Sequence, residues 1–231
     1  TFFPERLFPV IYRKRIQKAN VWTNGYKELR TVFNYIRKSY KLSMYLAGFF
    51  FMMMGLLTVM FMAATYGEKE LGVKEEVLIG TILLIQLVGI FGAWLFARLS
   101  GRFGNLKALI LSVASWIIIC IGAYFITDSI GFMIVAFFIG IVMGGSQALA
   151  RSTYSKMLPE TTDHTSFFSF YNVMEKLATV LGTFSFGAIE ALTGSMRNSV
   201  MAITIFFAIG MVFMSLLLIR TYREKSASRV I

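Results

Sequence analysis

Few polar side chains of this sequence sit inside long apolar stretches, and those few are the ones with types and spacings suited to chemistry. Between Phe167 and Leu192 stand Tyr171, Asn172, Glu175 and Lys176, then the small series Ala178, Gly182 and Gly187. At helical spacing Tyr171, Glu175, Ala178 and Gly182 share one face, and Asn172, Lys176, Thr179 and Thr183 share the adjacent one. Glu175 and Lys176 point about 100° apart, so each is expected to pair with a different helix. Between Phe132 and Ala150 the device recurs, with Gly140, Gly144, Gln147 and then Arg151 on one face. Another stretch contributes Gln86. A charge at membrane depth costs about 2.5–3.5 kcal/mol on insertion scales, so it needs a partner or a wet cavity. A carboxyl, an ammonium, amides and a phenol in such a cavity suit the binding of a small polar solute or a coupling ion. A carboxyl at that depth either takes up and releases a proton as the cavity opens to alternate sides or is neutralised permanently by Lys176 or Arg151, which makes Glu175 the candidate coupling residue. The competing reading is that Glu175, Lys176, Gln147 and Gln86 tie helices together through hydrogen bonds worth about 0.6 kcal/mol on average. Both readings stay open for Glu175 and Lys176.

Enzyme chemistry finds little support. No Gly-Lys dipeptide occurs, which excludes a phosphate-binding P-loop in this chain. Gly144-Gly145-Ser146-Gln147-Ala148 looks like a serine nucleophile elbow only superficially, because the second glycine is absent and the surroundings are an apolar helix. His164, the sole histidine, stands beside Asp163 in a connecting loop, and one histidine does not build a zinc site. Met52, Met53 and Met54 read as packing, since thioethers alone suit only soft ions. Cys120, the single cysteine, lies in an apolar segment and reads as a small buried hydrophobe. The expectation is a chain with no catalytic residues, no metal and no cofactor.

The elements that position these residues follow from composition. A chain of 231 residues that is 57% apolar, with a mean hydropathy of +0.68, has too little polar surface to cover a water-soluble globule. Crossing a bilayer takes about 20 mostly apolar residues. Six segments qualify: Leu42–Tyr66, Val77–Ala97, Ala108–Ile126, Phe132–Ala150, Phe167–Leu192 and Ser199–Ile219. Proline occurs only outside them, at Pro4, Pro9 and Pro159. Of the 23 basic residues, 19 fall on one side of this arrangement and three, Lys69, Lys74 and Arg197, on the other, with Lys176 inside a span. That division places both termini in the cytoplasm and accounts for the net charge of +11 without nucleic acid. The third and sixth spans lack charged residues, Asn and Gln, and are expected to be the lipid-facing pair. Before the first span, Leu29, Val32, Phe33, Ile36 and Tyr40 recur at helical spacing among Lys27, Arg30, Arg37 and Lys38, as in a basic amphipathic helix on the inner membrane surface. Thr1 to Asn24 reads as a polar linker. Residues 1–41 hold ten basic residues and no long apolar core, unlike a cleavable signal peptide, and the opening on Thr1 rather than Met suggests a natural beginning upstream. Residues 1–41 are thus a cytoplasmic linker with an amphipathic helix, 42–219 the transmembrane domain and 220–231 a cytoplasmic tail.

The loop after the second span, Ala97-Arg98-Leu99-Ser100-Gly101-Arg102-Phe103-Gly104-Asn105-Leu106-Lys107, resembles the signature loop of the major facilitator superfamily, Gly-x-x-x-Asp-Arg-x-Gly-Arg-Lys. Arg102, Gly104 and Lys107 are retained, while Gly101 replaces the acid and Asn105 the next basic residue. From Tyr26 onward the chain resembles the C-terminal half of the vacuolar amino-acid effluxer-like family of that superfamily. The residues that carry this are Gly144 through Ser152, Phe167 through Tyr171, Glu175-Lys176, Leu181-Gly182, and Thr193-Gly194-Ser195-Met196-Arg197-Asn198, with Ala63 through Gly67. The resemblance implies an all-α membrane fold, the six spans being helices seven to twelve of a secondary transporter. It implies alternating access for a small polar solute, an amino acid by family association, with Arg102, Gly104, Lys107 and Arg151 forming a cytoplasmic gate. The implied partners are solute, bilayer and an absent N-terminal six-helix half, in a bacterial inner membrane. The rival reading is a non-transporting membrane scaffold or sensor on the same bundle.

Overall fold

The computed structural model describes residues 21–159 and 163–227. The linker read between Thr1 and Asn24 lies outside the described residues up to position 20, and the tail does so beyond 227. Everything described is helix or short connection: α1 Val21–Lys38, α2 Tyr40–Lys69, α3 Glu75–Phe103, α4 Asn105–Phe125, α5 Ser129–Met157, α6 His164–Thr193 and α7 Met196–Ala227. Apolar side chains carry the backbone into hydrocarbon, where every N–H and C=O must be satisfied within the segment, and the helix does so.

Every helix from α2 to α7 starts before the apolar stretch that announces it, and all but α4, which stops at Phe125, also run past its end. Hydropathy marks the part that sheds water, whereas helical hydrogen bonding continues into polar flanks. Thus α5 runs on from Ala150 to Met157, and α7 runs from Ile219 to Ala227, so the tail read from position 220 begins as helix. His164, read as a loop residue, is the exposed first residue of α6, whose N-cap Asp163 accepts from the Ser166 amide at 3.2 Å. Gly104 alone separates α3 from α4. Its φ of 88° with ψ of 152° is backbone that only glycine adopts without strain, so the hairpin at the signature loop is as short as it can be. Gly194 ends α6 in the left-handed conformation, its N–H donating to the Glu190 carbonyl at 2.8 Å.

Among the described residues five helices are long and apolar enough to cross a membrane: α2, α3, α4, α5 and Met196–Glu224 of α7. Six such segments were expected. α6 is as long as α2, at 30 residues, but Glu175, Lys176 and Glu190 with its many hydroxyls dilute it. Short connections make successive helices from α2 to α7 antiparallel, which collects α1, the α3–α4 hairpin, the α5–α6 connection and the end of α7 at one basic end.

Glycines set the crossings. A Cβ at Gly144 would fall on the Gly89 carbonyl, one at Gly92 on the Ile141 carbonyl, and one at Gly140 2.9 Å from the Ile85 carbonyl, so α3 and α5 meet backbone to backbone. α2 meets α7 at Gly48 and Gly210, and meets α6 at Gly182, which sits against Thr58 and the Met54 carbonyl. Trp116 of α4 stacks on Phe207 of α7 at 5.4 Å and donates its indole N–H to Ser146 of α5 at 3.0 Å. α3 is as outward within the described bundle as α4 and α7, the pair expected to face lipid. Only 22% of the apolar window of α3 is buried, against 28% for α7 and 33% for α4, because the α3–α5 contact engages one narrow glycine face and leaves Ile79, Leu83, Leu87, Ile90 and Phe91 exposed.

α1 forms a helix as its periodicity predicts, but the described side chains divide differently. Val32 and Ile36 are buried on the bundle, and Tyr35 meets Phe167 of α6 edge-on at 5.6 Å. Phe33 and Tyr40 are exposed, and Tyr40 belongs to α2. The helix therefore spends its most regular apolar positions on protein.

Candidate functional site

α2, α5 and α6 enclose a cavity of 760 Å³. α2 supplies an apolar wall of Met53, Leu57, Met60 and Phe61, and the polar wall comes from Gln147, Arg151, Ser152 and Ser155 of α5 with Tyr171, Glu175 and Lys176 of α6. Five residues singled out in the sequence, Gln147, Arg151, Tyr171, Glu175 and Lys176, are thus brought together from two helices. The cause is local. Gly182 and Ala178 hold one face of α6 against α2, which turns Tyr171 and Glu175, on that same face, along the cavity edge. On α5 the face that begins with Gly140 and Gly144 against α3 ends with Gln147 and Arg151 at the cavity.

Below the polar wall lies an aromatic stack. Phe49 of α2 lies 4.3 Å from Tyr171, Tyr154 of α5 lies 5.0 Å from Tyr171, and Phe168 meets Tyr154 edge-on at 5.6 Å. The Arg151 guanidinium stands over the Tyr171 ring at 5.7 Å. Tyr45 donates to the Ala150 carbonyl at 2.6 Å and Tyr154 to the Phe167 carbonyl at 2.8 Å, so buried hydroxyls lock the stack to α5 and α6.

Glu175 and Lys176 do not pair with different helices, as their angular separation suggests they should. Neither they nor Arg151 form an ion pair with any described residue. The carboxylate, ammonium and guanidinium line one cavity, with the guanidinium over the Tyr171 ring. Asn172 departs from the group, being exposed with Lys176 along a shallow apolar groove of α6. Gln86 lies away from the cavity on the exposed face of α3.

The gate residues are likewise divided. Arg102 is exposed in the last turn of α3, Gly104 forms the hairpin and Lys107 stands over Tyr222 of α7 at 5.1 Å, whereas Arg151 lines the cavity. The hairpin is joined to α5 through Asn105 instead. Its amide donates to Ser152 at 2.9 Å, and its Oδ1 accepts from Ser100 and Lys156, each at 2.8 Å. This link escaped sequence reasoning, although the signal was present: Asn105 departs from the signature at a position where a polar residue still stands.

At the opposite end Arg197 donates to Glu70 at 3.1 Å and to the Tyr124 carbonyl at 3.3 Å. Lys69 pairs with Glu190 at 3.7 Å, and Tyr66 donates to the Ala123 carbonyl at 2.9 Å. These contacts join α2, α4, α6 and α7 into one clamp.

Residues 3–227 match the family model described as vacuole effluxer Atg22 like. An uncharacterised MFS-type transporter, YxiO of Bacillus subtilis (strain 168), is 29% identical over 199 residues, which are 86% of this chain and 46% of that protein. Autophagy-related protein 22 of Yarrowia lipolytica is 27% identical across 77% of this chain and 31% of its own length, and that of Vanderwaltozyma polyspora 26% identical across 81% and 38%. The chain spans less than half the length of these relatives.

Proposed function

The chain belongs to the vacuole effluxer Atg22 like family of membrane transport proteins, and from that membership we propose that its helices form the C-terminal half of a secondary transporter for a zwitterionic solute such as an amino acid. The observation that carries this reading is the set Glu175, Lys176 and Arg151, which forms no ion pair with a described residue, around one cavity of 760 Å³, a volume in the range of small-molecule sites at roughly 300–1,000 Å³. Arg151 and Lys176 suit a solute carboxylate, Glu175 its ammonium, and Gln147 and Tyr171 its orientation. The half-bundle also supports the reading. α3 and α6 expose apolar faces that include Gln86 and Asn172, and such faces suit a second six-helix half that closes the cavity and rocks against this one. In that arrangement α6 is the fifth span and completes the six, shielded from lipid by α2 and the other half. The 19-to-three division of basic residues supports a cytoplasmic basic end, in a bacterial cell membrane, with α1 docked at the inner surface.

Glu175 is the proposed coupling residue. Glu175→Gln keeps shape and some hydrogen bonding while removing ionisation. The full-length variant in proteoliposomes is expected to lose uptake driven by a proton gradient while keeping exchange at equal solute concentrations. Gradient-driven uptake at the wild-type level refutes the coupling role, and loss of both activities assigns Glu175 to solute binding instead.

A further inference from the structure

The geometry points to a binding site for the headgroup of an anionic phospholipid where the basic ends of α2 and α7 meet. A pocket of 690 Å³ there is lined by Tyr40, Leu216, Ile219, Arg220, Arg223 and Glu224. The Arg220 guanidinium lies 3.7 Å over the Tyr40 ring, and Glu224 is held between Lys41 at 2.5 Å and Arg220 at 3.4 Å. Arg223 is exposed and makes no hydrogen bond or ion pair with a described residue. On a neighbouring face of α7 Lys107 stands over Tyr222. Four cations, Lys41, Lys107, Arg220 and Arg223, therefore surround the end of α7, with Glu224 the carboxylate in the pocket and already shared between two of them. Three further features match a lipid rather than a soluble anion. Leu216 and Ile219, 47% and 50% exposed, form an aliphatic wall on the span side. The Tyr40 ring packs against the first of the cations, Arg220. The cations come last, so the order along α7 is the order of acyl chain, glycerol and phosphate in a phospholipid. Juxtamembrane basic clusters of four or more residues attract anionic lipid at about 1 kcal/mol per charge, and pockets between helices add headgroup selectivity. Which leaflet supplies the lipid rests on the inward orientation proposed above; the pocket itself does not.

Native mass spectrometry of the full-length protein, titrated in detergent with phosphatidylglycerol and separately with phosphatidylcholine, tests this without measuring transport, so its failure leaves the transporter reading standing. Retention of phosphatidylglycerol but not phosphatidylcholine is expected. Arg223→Gln should weaken retention roughly fivefold and the Arg220→Gln/Arg223→Gln pair about thirtyfold, while Arg220→Lys/Arg223→Lys keeps most of it. Because Arg220 also packs on Tyr40, Arg223→Gln decides the matter if the double variant unfolds. Equal retention of the two lipids, or undiminished retention in Arg223→Gln, overturns the site. Displacement by millimolar inorganic phosphate overturns the lipid assignment in favour of a free-phosphate site.

Discussion

The backbone contact between α3 and α5 makes a quantitative prediction from two glycines of one helix. A Cβ at Gly92 meets the carbonyl oxygen of Ile141 and lies 2.6 Å from its C and Cα, while one at Gly80 meets nothing within 4 Å. The obstacle at Gly92 is backbone, so no side-chain rotation relieves it. Non-bonded carbons settle about 3.5–4 Å apart, so the helices must part by roughly 1 Å at the crossing. Overpacking of this kind costs about 1–3 kcal/mol. Alanine also gains up to about 1 kcal/mol over glycine in a helix, but that gain is common to both sites and cancels in the comparison. Gly92→Ala should therefore be less stable than Gly80→Ala by about 1–3 kcal/mol, a gap in melting temperature of roughly 2–12 °C for a protein of this size or larger. Intrinsic fluorescence melting of both full-length variants in the same detergent measures the gap. A Gly92→Ala protein that melts at or above Gly80→Ala refutes the backbone contact. Because α5 carries Gln147 and Arg151, Gly92→Ala should also weaken solute binding, whereas Gly80→Ala should not.

Single cysteines at Lys69 and Lys107 in a background lacking Cys120 should label oppositely in intact cells, the first from outside and the second only after permeabilisation; equal labelling refutes the orientation. The chain reconstituted alone should give no saturable solute uptake, since half of the cavity wall is proposed to come from other helices, and robust uptake would mean that two copies assemble into a working carrier. Tyr45→Phe leaves the stack in place but removes the buried bond to the Ala150 carbonyl, and should lower stability by about 1 kcal/mol in thermal unfolding; an unchanged melting temperature refutes a contribution from that bond.

The helices were legible because hydrocarbon leaves the backbone one choice, and the grouping of Glu175 with Tyr171 was legible because helical spacing alone puts them on one face. That Arg151 and Gln147 face the same cavity followed from the Gly140–Gly144 face, a packing signal readable in the sequence. Three features were not legible. Glu175 and Lys176 form no ion pair with a described residue, and sequence spacing says where side chains point but not what stands opposite. The outward exposure of α3 depends on how narrow its glycine contact is, which hydropathy does not register, since α3 and α4 are both apolar all round. Gln86 and Asn172 looked like members of the polar set by residue type, yet their helices turn them away from the cavity, a matter of rotation that only tertiary packing decides.

The link from the α3–α4 hairpin to α5 runs through an amide, Asn105, and not through a carboxylate. An amide has no proton to give up or take on, so the link keeps its donors and acceptors unchanged when one side of the membrane acidifies. A carboxylate at that position would lose its hold on Lys156 as it became protonated. A loop joined in this way stays indifferent to the acidity around it.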